Sequence, residues 1–177
     1  MKTSHAQYYQ KFDIPDSISN KNLLKIIDFY LFNCPVPGIS QRGNKFADYG
    51  FCGSAKFSKL KSAMLDHATA SLKENYRPCK KSELETAFQQ MEKVSPPDEY
   101  CAFLQSDEKT VIFSLFSAIR NAFAHGSFNV KAYRRVRIYF FVNHKNYTKA
   151  KIILHEDTLL AWIKLIQEGY DALKNNI

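Results

Sequence analysis

Three residues in the second half of the chain have the types and spacing of an acid–base site. Arg120 and Asn121 are adjacent, and His125 follows at the end of the apolar segment VIFSLFSAIRNAFAH. Histidine exchanges protons near neutral pH, and the planar guanidinium of arginine matches a phosphate. An RNA phosphodiester carries its own nucleophile, the 2′-hydroxyl, so its cleavage needs proton transfer and charge stabilisation but no metal ion. A histidine contributes roughly 10²–10⁴-fold to such a reaction. We therefore hypothesise that Arg120 and His125 are catalytic and that Asn121 orients them.

The stretch 107–128 is predicted to form an apolar helix that ends at Gly126, where a left-handed conformation is needed. At about 100° per residue, one broad face of this helix is apolar and should be buried. The opposite face is a narrow stripe of small and polar residues: Thr110, Ser114, Ser117, Asn121 and His125. Asp107 is expected to cap the helix. His125 should then be exposed, and two chains meeting along the stripe would form a homodimer with a composite active site.

The same residues also have a purely structural interpretation. Arg120 could be held in a salt bridge, and His125 could cap the last carbonyls of the helix. A second pair, Arg137 and His144, has similar spacing, but it is predicted to lie on a strand and a turn, where nothing orients it. We therefore discount the second pair and keep both interpretations of the first.

Composition restricts the class of protein. The chain has 177 residues, which suits a single domain over 1–177, and it contains no apolar run near the ~20 residues of a membrane span. The first residues lack the apolar segment of a secretory signal, so we expect a cytoplasmic protein without membrane contact. The cysteines, at 34, 52, 79 and 101, include no C-x-x-C pair. This spacing favours reduced, buried thiols over a metal site or disulfides, and no cofactor is expected.

The net charge of +8 favours a polyanionic partner, nucleic acid before an anionic membrane. Between residues 126 and 155 there are seven basic side chains and no acidic one. From this segment we predict an RNA-binding surface made of Lys131, Arg134, Arg135, Arg137 and Lys145. The alternative is a solvated charged face without a ligand.

The remaining pattern predicts helices with a small sheet near the end of the chain. The predicted elements are helices over 20–34, 57–76, 82–94 and 95–104, a long loop over 35–55, strands over 127–133, 136–143 and 150–154, and a last helix from Glu156. A capping box, Ser82 to Glu85, is expected to open the third helix. Trp162 is expected at the edge of the core.

The segment RNAFAHGSF, followed by a β-ribbon and a helix such as DTLLAWIKLI, resembles the HEPN superfamily (higher eukaryotes and prokaryotes nucleotide-binding domain) over roughly residues 107–172. Its Arg-x4–6-His motif is matched by Arg120, Asn121 and His125. The resemblance implies a mainly α fold over 1–177, a HEPN-like helical bundle with a small antiparallel β-ribbon inserted before the last helix. It also implies a metal-independent ribonuclease that dimerises to form its site.

Many HEPN proteins are toxins of toxin–antitoxin pairs or effectors of phage defence, so the resemblance also implies an antitoxin protein as a partner. Some members have lost catalysis. A catalytically inactive HEPN-like module that binds RNA or protein is therefore the alternative function. A third hypothesis is a helical interaction protein whose positive charge matches an acidic partner.

Overall fold

The computed structural model describes residues 20–106 and 110–175, and in these ranges five strands form one mixed sheet. The strands are β1 (Tyr76–Cys79), β2 (Tyr100–Leu104), β3 (Phe128–Tyr133), β4 (Val136–His144) and β5 (Thr148–His155). Their order across the sheet is β1-β2-β5-β4-β3. β1 pairs with β2 in parallel, and the other neighbours are antiparallel.

The prediction of a mainly α bundle with a small ribbon is wrong, because the fold is mixed α/β, with 52% helix and 21% strand among the described residues. The error lies in residues 100–104, predicted to be helical, which form the central strand β2. Four of its five residues are buried, so the strand shows no alternation. Periodicity alone cannot distinguish such a strand from a buried helix. β1 contains Pro78, which an edge strand accepts because one side of its backbone needs no donor.

The helices lie before, between and after the strands. They are α1 (Lys21–Ile27), continued by a π-helical segment (Asp28–Phe32), α2 (Ser54–Asp66), α3 (Ala70–Asn75), α4 (Leu84–Met91), α5 (Val111–Ala124) and α6 (Glu156–Asn175). Short 3₁₀ helices span Phe46–Tyr49 and Lys81–Glu83. No helix of the described ranges is long and apolar enough to cross a membrane.

Several helix boundaries differ from the prediction. The helix expected over 57–76 is two helices, α2 and α3, separated at 67–69. The expected capping box does not form: Ser82 lies inside the 3₁₀ turn, where the carboxylate of Glu83 accepts a hydrogen bond from the backbone N–H of Lys80 (2.7 Å). The predicted boundaries of β3, β4, β5 and the start of α6 are confirmed to within two residues.

The two faces of the sheet have different partners. The first face packs against α1, α2, α5 and α6 in the main core, which includes Phe103, Phe141 and Ile152. Trp162 is 0% exposed in this core, not at its edge, and its Nε1–H donates to the carbonyl of Met64 (2.8 Å). The second face packs against α4 alone among the described helices, through a smaller apolar cluster. The sheet is thus covered fully on one side and partly on the other.

The buried carboxylate of Glu99 joins the start of α3 to the ends of two strands. Its Oε2 accepts hydrogen bonds from the backbone N–H and the hydroxyl of Thr69 (3.1 and 2.5 Å), and its Oε1 accepts from the N–H of His155 (2.7 Å). A buried carboxylate is tolerated only when it is hydrogen-bonded in this way. The contact fixes the end of β5, from which α6 begins.

The structure makes the four thiols unequal. Cys101 and Cys79 lie in strands and Cys34 in the main core, whereas Cys52 is exposed, contrary to the expectation that all four are buried. Burial raises the pKa of the Cys34 thiol to about 12 and also raises the pKa of the other two buried thiols.

We therefore expect iodoacetamide at pH 8 to alkylate Cys52 alone in the native protein, because the thiolate is the reactive form. Mass spectrometry of tryptic peptides measures this. Rapid native labelling of Cys101 would contradict its position in a central strand, and urea-unfolded protein is the control.

Candidate active site

Helix α5 ends in a glycine-dependent turn that leads directly into β3. The N–H of Ser127 donates to the carbonyl of Ala122 (2.8 Å), and the N–H of Gly126 donates to that of Phe123 (3.1 Å). Gly126 has φ +63°, as predicted. These two bonds and the left-handed glycine form a Schellman motif. The ring of Phe123 packs against that of Phe128 in β3 (4.7 Å between centroids), so the turn is fixed from both sides.

This turn exposes His125 at the end of a helix that is otherwise largely buried. Asn121 lies one helical turn earlier on the same face, and Arg120 is its neighbour in sequence; both are half-buried. The Nη1 of Arg120 donates to the Oδ1 of Asn121 (3.3 Å). Arg120 and His125 are separated by about 7.5 Å along the helix axis, at ~1.5 Å per residue. Asn121 thus contacts the guanidinium through this one hydrogen bond, and its orienting role stays a prediction.

The guanidinium of Arg120 has no carboxylate partner among the residues that the structure describes. Its Nε is buried and forms no hydrogen bond within the same ranges. The salt bridge expected from the structural interpretation is therefore not found there. The half-buried guanidinium therefore keeps its charge without a carboxylate partner in these ranges, which is the arrangement that an anionic ligand would complete.

The imidazole of His125 does not cap the helix. Only its backbone N–H takes part, donating to the carbonyl of Asn121 (3.0 Å). The ring forms no hydrogen bond with any residue in the described ranges and remains accessible. This geometry leaves the ring free to exchange protons with a bound ligand.

The polar stripe of α5 is only partly available to a second chain. Thr110 caps the helix by accepting from the N–H of Phe113 (3.2 Å), and Asp107, the predicted cap, lies outside the described residues. Ser114 is 7% exposed and accepts from the N–H of Ser106 (3.3 Å). The N-terminal half of the stripe is therefore covered by its own chain. The hydroxyl oxygen of Ser117 is buried as well, so the accessible part of the stripe is Asn121 and His125.

The five basic residues predicted to bind RNA do not form one surface. Lys131 lies on the second sheet face, the turn residues Arg134 and Arg135 lie at one end of the sheet, and Arg137 lies on the first face. Lys145 is in the β4–β5 turn, at the opposite end. That end is also the His125 end, because the N–H of Val142 donates to the carbonyl of Ser127 (2.9 Å). Only Lys145 of this set therefore lies at the same end as the candidate site.

The second arginine–histidine pair cannot act as one unit. Arg137 and His144 are on opposite faces of β4 and near its two ends, about 23 Å apart at ~3.3 Å per residue. Arg137 instead pairs with Glu156 (3.2 Å), and the Nδ1 of His144 hydrogen-bonds the hydroxyl of Thr148 (3.1 Å). Discounting this pair in favour of Arg120 and His125 agrees with the geometry.

One polar network was not predicted from the sequence. The nearly buried Glu156 accepts hydrogen bonds from the hydroxyl of Tyr139 (2.9 Å), from Arg137 (3.2 Å) and from the side-chain amide of Asn22 (2.9 Å). Burial, and then the Glu156 charge, raise the pKa of Tyr139. Glu156 was predicted only as a helix start, and its partners are up to 134 positions away in sequence. Each described side chain of this network has a hydrogen-bond partner, so the network acts as a structural anchor for α6.

Within the described ranges, no group of three histidine, cysteine or acidic side chains is arranged to hold a metal ion. In comparisons with protein-family models, curated proteins and solved structures, none matches this chain. We therefore infer function from the geometry of the α5 terminus and from the sequence motif.

Replacing Gly126 tests the turn that presents His125. A Cβ at this position would meet no atom within 4 Å, so the penalty of Gly126→Ala is the left-handed backbone alone. We expect a loss of about 1–2 kcal/mol in the free energy of unfolding, measured by urea denaturation. Gly126→Asn, which tolerates this conformation better, should lose less and is the matched control. Equal stability of wild type and the alanine variant would contradict the assigned turn.

Proposed function

We propose that this chain is a metal-independent endoribonuclease that cleaves RNA by attack of the 2′-hydroxyl on the adjacent phosphate. The observation that supports this function is the half-buried Arg120, which has no carboxylate partner among the described residues, beside Asn121 on the helix that exposes His125 at its end. The proposal includes the HEPN relationship that the Arg-x4-His motif implies, now on a mixed α/β fold.

The reaction requires two proton transfers. The 2′-oxygen forms a bond to phosphorus while the bond to the 5′-oxygen breaks, leaving a 2′,3′-cyclic phosphate and a 5′-hydroxyl. A neutral imidazole accepts the proton of the 2′-hydroxyl, and a protonated imidazole donates a proton to the departing 5′-oxygen. Arg120 stabilises the charge that develops on the phosphoryl oxygens. DNA has no 2′-hydroxyl and is not a substrate.

Each chain supplies one imidazole at this site, whereas the reaction uses two proton-transfer groups. We therefore propose a homodimer with a composite active site, in which the accessible part of the α5 stripe, Asn121 and His125, lies near the twofold axis. Such a dimer brings two histidines and two arginines to one scissile phosphate.

The biological role follows from the motif. We propose a cytoplasmic toxin or phage-defence effector, restrained by an antitoxin protein.

Induced expression of the wild-type chain should arrest bacterial growth, whereas expression of His125→Ala to the same level should not. If cells that contain soluble wild-type protein grow as fast as uninduced cells, the toxin role is contradicted.

Cleavage should depend on Arg120 and His125 and not on divalent cations. With protein and RNA in EDTA, we expect wild type to produce 2′,3′-cyclic phosphate ends, detected by mass spectrometry of the fragments. His125→Ala should reduce the rate by roughly 10²–10⁴-fold, the usual contribution of a general acid or base. Arg120→Ala should produce a loss of similar size.

Two matched variants separate chemistry from general damage. His67→Ala removes another exposed histidine at a helix C-terminus, and Arg77→Ala removes an exposed arginine of the edge strand β1. Both should cleave at the wild-type rate. Activity that survives in both site variants, or that EDTA abolishes, would refute the proposal. RNA binding without cleavage by wild type would instead support a catalytically inactive HEPN-like module.

If two chains share the active site, an inactive chain should abolish the activity of the wild-type chain with which it pairs. A large excess of His125→Ala chain, mixed with wild type under RNA-saturated conditions, should place most wild-type chains in heterodimers that have one imidazole. Activity per wild-type chain should fall towards zero, whereas the same excess of His67→Ala should not lower it. If native mass spectrometry shows heterodimers and activity per wild-type chain is unchanged, the site belongs to one chain.

A further inference from the structure

A groove of about 530 Å³ lies on the second face of the sheet, beside α4. Its floor includes Phe140 and Val142 of β4 and Ile153 of β5, and its wall includes Met91 at the end of α4 and Val94 in the segment that follows it. The eight-residue α4 is too short to cover this face, so part of it remains open among the described residues. The volume lies within the range of about 300–1,000 Å³ typical of ligand sites. We call it the sheet groove.

Two lysines line the sheet groove. The Nζ of Lys131 is 5.8 Å from the centre of the Phe140 ring, and the Nζ of Lys151 is 5.1 Å from that of Phe88. Lys151 is also 4.0 Å from Glu92, whose side chain is 67% exposed, so water screens this pair. Lys131 has no carboxylate partner within the described ranges. The sheet groove therefore combines an apolar, aromatic floor with a net positive charge.

The positions of the two lysines limit which ligands could fill the sheet groove. Lys131 pairs with Ile138 and Lys151 pairs with Val142, which places their backbones two strands and four residues apart. At ~4.8 Å between strands and ~3.3 Å per residue, this separation is about 16 Å. A ligand with one anionic group would leave one lysine unused. An occupant that matches both has anionic groups on either side of a flat apolar body.

Single-stranded RNA has this chemistry, because phosphodiesters flank each base and bases stack on aromatic rings. We propose that the sheet groove binds a short single-stranded segment of RNA, with a base against Phe140 and the phosphates of nearby but not adjacent nucleotides at Lys131 and Lys151. The inference rests on the proposed function, since it assigns how the substrate of that site is held.

The sheet groove also leads towards the candidate active site. Its lining includes His144 and Thr148, at the end of the sheet where β4 turns into β5. The α5 turn lies at the same end, because the N–H of Val142 donates to the carbonyl of Ser127. A strand that leaves the sheet groove past Lys145 would reach His125 around this end. The sheet groove thus positions RNA while the chemistry occurs at the α5 terminus.

Binding of an uncleavable strand tests the inference without relying on catalysis. The probe is a fluorescein-labelled 2′-O-methyl RNA of about ten nucleotides, a length that single-strand binding sites commonly cover. Its binding to the full chain is measured by fluorescence anisotropy. Lys131→Gln combined with Lys151→Gln removes two charges but keeps the side-chain stems. It should weaken binding at least tenfold and reduce the slope of log K against log salt by about 1.4, at ~0.7 per phosphate. Lys25→Gln on α1, which packs on the other sheet face, is the control and should bind like wild type.

The aromatic contact needs its own variant. Phe140→Leu keeps an apolar floor but removes the stacking surface, so it should weaken binding about tenfold with no change in salt slope. Unchanged affinity in the double lysine variant, or an equal loss in Lys25→Gln, would overturn the inference. Displacement of the RNA by an equal concentration of poly-glutamate would also overturn it, because the sheet groove would then be a site for acidic peptides.

Cleavage assays of the same variants separate this inference from the proposed function. If His125→Ala abolishes cleavage and the double lysine variant leaves KM unchanged, the sheet groove is not a substrate site while the ribonuclease function stands. If wild type never cleaves RNA but its binding depends on both lysines, the sheet groove stands and the ribonuclease function fails. The inference predicts a raised KM with kcat nearly unchanged.

Discussion

The backbone turn that ends helix α5 determines where the candidate catalytic groups lie. The helix must bury its apolar face against the sheet, and its chain must then turn sharply to become β3. Gly126 makes this possible at positive φ, with hydrogen bonds from the N–H groups of Gly126 and Ser127 closing the turn. Because the turn occurs at the edge of the core, His125 is exposed while Arg120 stays partly buried. A more gradual exit would bury the imidazole or fully solvate the guanidinium.

The same sheet that receives α5 has a second, less covered face. Strand alternation decides which side chains reach each face: Arg137 points to the helices and pairs with Glu156, whereas Lys131 and Lys151 reach the sheet groove. The excess positive charge of the segment 126–155 is therefore divided between two surfaces. In the functions proposed above, RNA would bind in the sheet groove and be cleaved at the nearby end of helix α5.

Local patterns were sufficient for part of this architecture. The apolar period of α5, the glycine after it and the alternating strands β3 to β5 are properties of short windows, and the structure confirms each of them. The central strand β2 could not be found in this way, because a strand buried on both faces does not alternate. For the site, spacing identified Arg120, Asn121 and His125, but sequence could not show that Arg120 has no described carboxylate partner. Ion pairing depends on residues brought together from distant positions, as with Asn22 and Glu156. Which side chains of β3 and β4 share a face of the sheet likewise depends on the register between the two strands, and composition does not define that register.

The most direct test of the central claim is a crystal structure of the wild-type protein with a bound 2′-O-methyl oligonucleotide, which cannot be cleaved at the modified positions. We expect one phosphate bound between the guanidinium of Arg120 and the imidazole of His125, close to a twofold axis that supplies the same pair from a second chain. Phosphates bound elsewhere, with the Nε of Arg120 bound to a carboxylate and His125 remote from any partner chain, would contradict the proposed site.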